Sequence, residues 1–277
     1  MIEQILNNIV NEKRRNGVTN DVVRNLLKEA LQYYVLDYIY NSQYGKNLIF
    51  TGGSCLRICY GLNRISEDLD LDLEWNTTIN KEDFADDIMN YFKKNLQYSK
   101  IEFSIRGAEK KIYLKFPILY DLAISKKPES EKLYVKIEIA ENISRYYQCE
   151  FIPLSRFNFN FLAKVYTIET LMASKIIAII RRTFKKGKGN AITFKGRDYY
   201  DLMWFLQNSF TPDIKRLQDV LSINKMSQVY EMLWAKVKAL SPVYLKEDLI
   251  PLFEDHRFID TYCNNYQDIV RKYLLKK

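Results

Sequence analysis

One segment limits what this chain can fold into: Asp68-Leu-Asp-Leu-Asp-Leu-Glu74. Acids and leucines alternate without a break. A strand puts Asp68, Asp70, Asp72 and Glu74 on one face and the leucines on the other. Same-face residues on a strand are roughly 6.6 Å apart. Two carboxylates at that spacing can converge on one divalent cation. A half-solvated strand produces the same alternation. Strands are depleted in aspartate, however, and like charges in a row repel.

The residues just upstream add a second, independent feature. Asn47-Leu-Ile-Phe50 is a short apolar run with β character. Gly52-Gly53 breaks it, Ser54 is expected to cap a short helix, and Gly61 is expected to end that helix. Backbone N–H groups after Gly53 would then face outward at a helix N-terminus, where anions are held. A phosphate cradle followed by paired carboxylates is a layout that binds a nucleoside triphosphate (NTP) with Mg²⁺.

The ordered set Gly52-Gly53-Ser54, Leu56-Arg57 and Arg64-x-Ser66-x-Asp68-Leu69-Asp70 resembles the AbiEii/AbiGii-type nucleotidyltransferase toxins, within the DNA polymerase β-like nucleotidyltransferase superfamily. A weaker resemblance runs from about residue 27 to 206. The first 25 residues and the last 70 carry no recognisable motif.

Composition narrows the class. The 277 residues suffice for one large domain or two small ones. Hydrophobic residues make up 47%, so the chain can build a sizeable core. Only nine glycines and six prolines argue against long disordered linkers. A net charge of +8 favours a polyanionic partner, though modestly. The four cysteines (Cys55, Cys59, Cys149 and Cys263) form no C-x-x-C pair, and His256 is the only histidine, which argues against a structural zinc site. No run approaches the roughly 18 apolar residues of a membrane span, and no signal peptide is evident. These features together lead us to expect a cytoplasmic protein with no membrane partner.

Periodicity predicts helices over 2–15, 19–40 and 81–95, then strands over 99–106, 111–117 and 133–140. Strands in succession without helices argue for an antiparallel or mixed sheet. Beyond residue 168 strand patterns nearly vanish, and helices are expected over 169–185, 197–208, 211–221, 225–240, 246–254 and 260–275. The expected fold is α+β, with a nucleotidyltransferase core built on a mixed sheet and a helical C-terminal half. A soft boundary divides 1–160 from 161–277.

Further candidate residues lie on these elements. Lys136 and Glu138 share a strand face in Tyr134-Val-Lys-Ile-Glu-Ile-Ala140. The resemblance puts a Lys-x-acid here, which makes Glu138 a candidate third metal ligand beside Asp68 and Asp70. A solvent-facing polar pair is the competing reading. Lys175 falls within the apolar stripe Ile168, Leu171, Met172, Ile176 and Ile179, as does Arg182 seven residues on. A lysine there needs an anionic partner or a cleft, unless it snorkels to the helix edge. The resemblance places a lysine on such a helix. Gly196-Arg-Asp-Tyr-Tyr-Asp-Leu202 resembles the family's Arg-Asp-x-x-Asp-Leu element. It puts Asp198 and Asp201 on one face, with Lys175 or Arg182 as natural partners. A structural salt bridge between two helices is the alternative. The tract over 181–190 is rich in cations, including Lys185, Lys186 and Lys188, and reads as a loop able to meet phosphates or as ordinary solvated surface.

The expected activity is transfer of a nucleoside monophosphate from an NTP to a hydroxyl. In it Asp68 and Asp70 hold Mg²⁺, and Gly53 and Ser54 cradle phosphates. Arg64, Ser66, Lys136, Arg182 and Asp201 are expected to assist in binding, and Lys175 and Asp198 to serve at the reacting centre. The resemblance implies a toxin of a bacterial toxin–antitoxin or phage-defence pair, with tRNA as acceptor and a cognate antitoxin. Two rivals remain open at this point. One is a transferase modifying a protein or small molecule, and the other is a non-catalytic binding protein on a degenerate transferase fold.

Overall fold

The computed structural model describes residues 2–182 and 194–274. They form two compact units. One comprises Met1–Asn142 with Cys149–Val165, the other Ile143–Gln148 with Tyr166–Lys277. Residue 160, where the sequence suggests a boundary, lies within a strand of the first unit.

The first unit is built on seven strands: β1 (Leu48–Thr51), β2 (Asp68–Leu73), β3 (Glu102–Arg106), β4 (Lys111–Pro117), β5 (Lys132–Ala140), β6 (Cys149–Arg156) and β7 (Phe159–Tyr166). They form one mixed sheet in the order β3-β4-β5-β2-β1-β7-β6. β2 runs antiparallel to β1 and parallel to β5, and β4 is antiparallel to both β3 and β5. The Asp-Leu alternation is realised in full. Leu69, Leu71 and Leu73 are buried, while Asp68, Asp70 and Asp72 are only half-buried. Ile112, Leu114, Phe116, Val135 and Ile137 extend the same apolar face across β4 and β5. Each such side chain contributes about 1.5–3 kcal/mol of burial.

Four helices accompany the sheet: α1 (Ile2–Arg15), α2 (Asn20–Tyr40), α3 (Gly52–Tyr60) and α4 (Lys81–Asn90). α2 is buried on most of its surface, including Glu29, Gln32 and Asp37. Glu29 meets Arg57 of α3 at 3.0 Å, and Gln32 Nε2 donates to the Glu67 carbonyl at 3.1 Å, just ahead of β2. α2 thereby anchors both α3 and the residue that leads into the acidic strand. α4 starts at Asn80, whose side chain accepts from the N–H groups of Glu82 and Asp83. The helix expected through residue 95 instead changes to a π-helical turn over Tyr91–Asn95.

Two strands escape the sequence reading. β6 and β7 are joined by Phe157 and Asn158, both with positive φ (54° and 66°), as a two-residue hairpin turn requires. Phe157 lacks the turn signal of glycine or asparagine. Its ring packs at 5.5 Å from that of Tyr33 and at 6.4 Å from that of Tyr34, which holds the turn in place.

The second unit is helical: α5 (Ile168–Arg181), α6 (Gly196–Gln207), α7 (Ile214–Leu221), α8 (Met226–Lys238), α9 (Pro242–Leu249) and α10 (Ile259–Leu274). Leu171, Ile176, Leu202, Phe205, Leu217, Leu233, Leu249 and Val270 form its core. The short segment Ile143–Gln148 is tied into it by Arg216. That buried guanidinium donates to the Tyr146 carbonyl at 3.1 Å and to Ser174 Oγ at 3.0 Å.

Candidate active site

The site of the first unit begins where β1 turns into α3. The helix starts at Gly52, three residues earlier than a Ser54 cap would give, and Thr51 occupies the cap position. Ser54 is therefore no cap. It lies inside the first turn, fully buried, and its hydroxyl donates to the backbone carbonyl of Asp68. That bond ties the first turn of α3 to the start of β2. Gly61 ends α3 in the left-handed conformation (φ 78°), as expected.

Gly52 has φ +74°, a conformation that favours glycine. A Cβ added there would stand 2.1 Å from Asp70 Oδ2 and 2.7 Å from Asp70 Cβ. The Asp70 carboxylate thus lies against the backbone that opens α3. The strand register agrees, since Thr51 pairs with Asp70. At Gly53 an added Cβ would meet Arg64 Nη2 at 2.5 Å and Ser66 Oγ at 2.9 Å. Arg64 is buried, with Nη1 donating to its neighbour's carbonyl at Ile65, 3.0 Å away. Its guanidinium places a fixed positive charge beside the helix N-terminus, whose first N–H groups have no partner within the helix.

On the other side of β2, Asp68 pairs in register with Lys136 and Asp70 with Glu138. Lys136 Nζ bridges Asp68 Oδ2 at 2.9 Å and Glu138 Oε1 at 2.6 Å. Burial works to lower the Lys136 pKa, but the Glu138 hydrogen bond and the Asp68 charge outweigh it and raise it. Burial likewise works to raise the pKa of Glu138, and its bond to Lys136 overrides that and lowers it. The other Glu138 oxygen meets Lys111 at 3.3 Å. Glu138 therefore faces two lysines while standing in register with Asp70. Among the described residues no set of three or more His, Cys, Asp or Glu is grouped to hold a metal ion. Asp68 and Asp70 still suit Mg²⁺, which is commonly held by one or two carboxylates together with substrate phosphates. Beside Glu138 opens a cavity of about 550 Å³, with Lys81, Lys111 and Ile139 among its walls.

In the second unit, α5 and α6 meet through four charges. Lys175 Nζ lies 2.9 Å from Asp198 Oδ1 and 2.8 Å from Asp201 Oδ2. Arg182 pairs with the second oxygen of Asp198. Both aspartates are buried. Burial pushes the Asp198 pKa up, but the charges of Lys175 and Arg182 prevail and hold it at about 2.

The AbiEii nucleotidyltransferase toxin family, of type IV toxin–antitoxin systems, matches residues 34–254. The chain belongs to this family. No curated protein sequence matches it. Among solved structures it is similar to MenT4, a nucleotidyltransferase toxin from Mycobacterium tuberculosis, at 17% identity and a TM-score of 0.53, over 92% of this chain and 84% of that one. It is also similar to JHP933 from Helicobacter pylori, at 17% identity and a TM-score of 0.48, over 91% and 94% of the two chains. The MenT4 likeness shows the nucleotidyltransferase fold, an α+β architecture on a mixed sheet.

In this AbiEii-family chain the structure brings Gly53, Ser54, Arg64, Ser66, Asp68, Asp70, Lys136 and Glu138 together in the first unit. It brings Lys175, Arg182, Asp198 and Asp201 together in the second. Sequence reasoning missed Lys111 as the second partner of Glu138, because that contact depends on the β4–β5 register. Residues 183–193, with Lys185, Lys186 and Lys188 of the basic tract, lie outside the described residues. All four cysteines are free thiols, and no helix among the described residues is long and apolar enough to cross a membrane.

Proposed function

We propose that the chain is a Mg²⁺-dependent enzyme that transfers a nucleoside monophosphate from an NTP to an RNA hydroxyl, with the 3′ end of tRNA as acceptor. The observation that carries this reading is the contact between Gly52 and Asp70. It sets a carboxylate against a helix N-terminus, so one locus favours both a cation and an anion. A triphosphate with its divalent ion has that combination of charges.

Asp68 and Asp70 would hold the ion, which when bound offsets phosphate charge and favours an ionised acceptor oxygen. The N–H groups at Gly53 and Ser54 would bind phosphate oxygens, with the Arg64 guanidinium adding fixed positive charge. The Ser54 hydroxyl, engaged by the Asp68 carbonyl, would position β2. Lys136 would orient Asp68, with Glu138 holding Lys136 and Lys111 holding Glu138. Family membership supports a toxin role with a cognate antitoxin, and the charge of +8 supports a nucleic-acid acceptor.

For Lys175 and Asp198 a specific observation favours a second reading. Lys175 is already held by two carboxylates, and Asp198 by two cations. We take the cluster first as a cross-link between α5 and α6. The reacting-centre role suggested by the sequence is the outcome that a turnover measurement would restore.

The test is incubation with each α-labelled NTP, Mg²⁺ and total RNA, resolved on a gel. Label in a discrete RNA size class is expected. Label on the protein fraction, or on none, would overturn the RNA assignment.

A further inference from the structure

The sheet face that bears the acids does not end at β5. Lys136, in register with Asp68, is also in register with Tyr113 of β4, and Tyr134 is in register with Lys115. Ser104 and Arg106 of β3 continue the same face opposite Tyr113 and Lys111. The intervening residues Ile112, Leu114, Val135 and Ile137 are buried. None of Arg106, Lys111, Tyr113, Lys115, Tyr134 or Lys136 is buried, and Tyr134 is 37% exposed. Over β3–β5 this face carries Arg106, Lys111, Lys115, Lys132 and Lys136 against only Glu102 and Glu138. The Arg106 guanidinium lies over the Tyr113 ring at 5.5 Å.

We infer that this face is the docking platform for the single-stranded end of the acceptor RNA, with bases stacked on Tyr113 and Tyr134 and phosphates met by Arg106 and Lys115. The inference rests on the RNA-acceptor reading above. An exposed ring at Tyr134 and a half-buried one at Tyr113, set among cations on a polar sheet, are what unpaired bases and their backbone need. Tyr113 and Tyr134 are diagonal neighbours on paired strands, roughly 7–8 Å apart, a separation that suits successive bases of an extended strand. A duplex hides its base faces and gains nothing from the rings. The platform leads from Tyr134 past Lys136 to Asp68 on the adjoining strand, so a strand lying on it brings its end to the acids.

The experiment measures anisotropy of a short labelled single-stranded RNA, alone and in duplex, at several salt concentrations. Wild type should prefer the single strand. Tyr113→Ala with Tyr134→Ala should weaken that binding at least about tenfold, given the usual cost of losing a stacked base, and leave the salt slope unchanged. Tyr113→Phe with Tyr134→Phe should bind as wild type, which separates stacking from a folding defect. Arg106→Ala with Lys115→Ala should lower the salt slope by about 1.4, the value for two phosphate contacts on a single strand. Wild-type affinity in the alanine pair, or equal loss in the phenylalanine pair, would overturn the platform. Transfer of label is read in parallel with wild type. RNA that is bound through the tyrosines but never labelled sinks the RNA-acceptor reading alone, and RNA that is labelled but bound equally by the alanine pair sinks the platform alone.

Discussion

Gly52 and Asp70 lie so close across the β1–β2 pair that any side chain at 52 forces Asp70 to move: an added Cβ would lie 2.1 Å from the Asp70 carboxylate. The glycine turn and the acidic strand therefore act as one device. The turn's shape sets the position of the carboxylate.

Gly52→Ala follows from that contact. The positive φ alone costs a side chain about 1–2 kcal/mol, and Asp70 must also move. We expect a lower Tm and a loss of transfer larger than the unfolded fraction explains, on the order of a hundredfold. Thermal melts and turnover on the same preparation check it. A folded variant with near-native turnover would separate Gly52 from the chemistry.

Asp68→Asn and Asp70→Asn should each abolish transfer and keep the fold. The two substitutions differ in their side effects. Asp68→Asn also removes one of the carboxylates that raise the Lys136 pKa, so Lys136 should titrate lower in that variant than in Asp70→Asn. An NMR titration of the lysine Nζ resonances distinguishes them, and equal Lys136 behaviour in both would contradict the assigned pairing.

Lys175→Ala leaves Asp198 and Asp201 buried without their shared cation. Breaking a buried pair in this way costs about 3–5 kcal/mol, measurable by urea unfolding. Lys175→Met with Asp201→Leu, which removes charge from both sides, should recover part of that loss. Turnover measured well below the melting temperature then separates the two readings. Activity in proportion to folded protein leaves a cross-link, and a further loss restores Lys175 to the reacting centre.

Asp198 also gives the protein a dependence on acid. Its pKa is depressed to about 2 from 3.8, so its ionised form stabilises the fold above the unfolded value. That contribution, on the order of 2 kcal/mol, is lost as pH falls from about 4 towards 2. Asp198→Asn should therefore differ most from wild type at neutral pH, and the difference should shrink over that interval. A stability difference that stays constant from pH 5 to pH 2 would contradict the ion-pair account.

Much of the acidic site was legible because alternation is local. Asp68 through Leu73 declare a strand and its two faces without any partner. The β6–β7 hairpin was not legible. β6 is largely exposed at the sheet edge and carries Pro153, and the turn uses Phe157 where a glycine or asparagine would have signalled it. The buried alternation of Phe161, Ala163 and Val165 in β7 and Asn158 in the turn were the signals available. What the acids touch was likewise out of reach. The bond from Ser54 to the Asp68 carbonyl and the Lys136 bridge depend on which strands pair and in what register, which no single segment encodes. α2 makes the same point, because periodicity reveals its leucines but not that Glu29 is buried against Arg57.

The central claim is that the α3 N-terminus and the Asp68–Asp70 pair form one site for a metal-bound triphosphate. Calorimetric titration with a non-hydrolysable NTP analogue tests it most directly, using wild type and Asp70→Asn, with Mg²⁺ or with chelator. The account predicts Mg²⁺-dependent binding by wild type that weakens at least about tenfold with chelator and in Asp70→Asn, the loss expected for removing a charged partner. Equal binding by both proteins, with and without Mg²⁺, would contradict it.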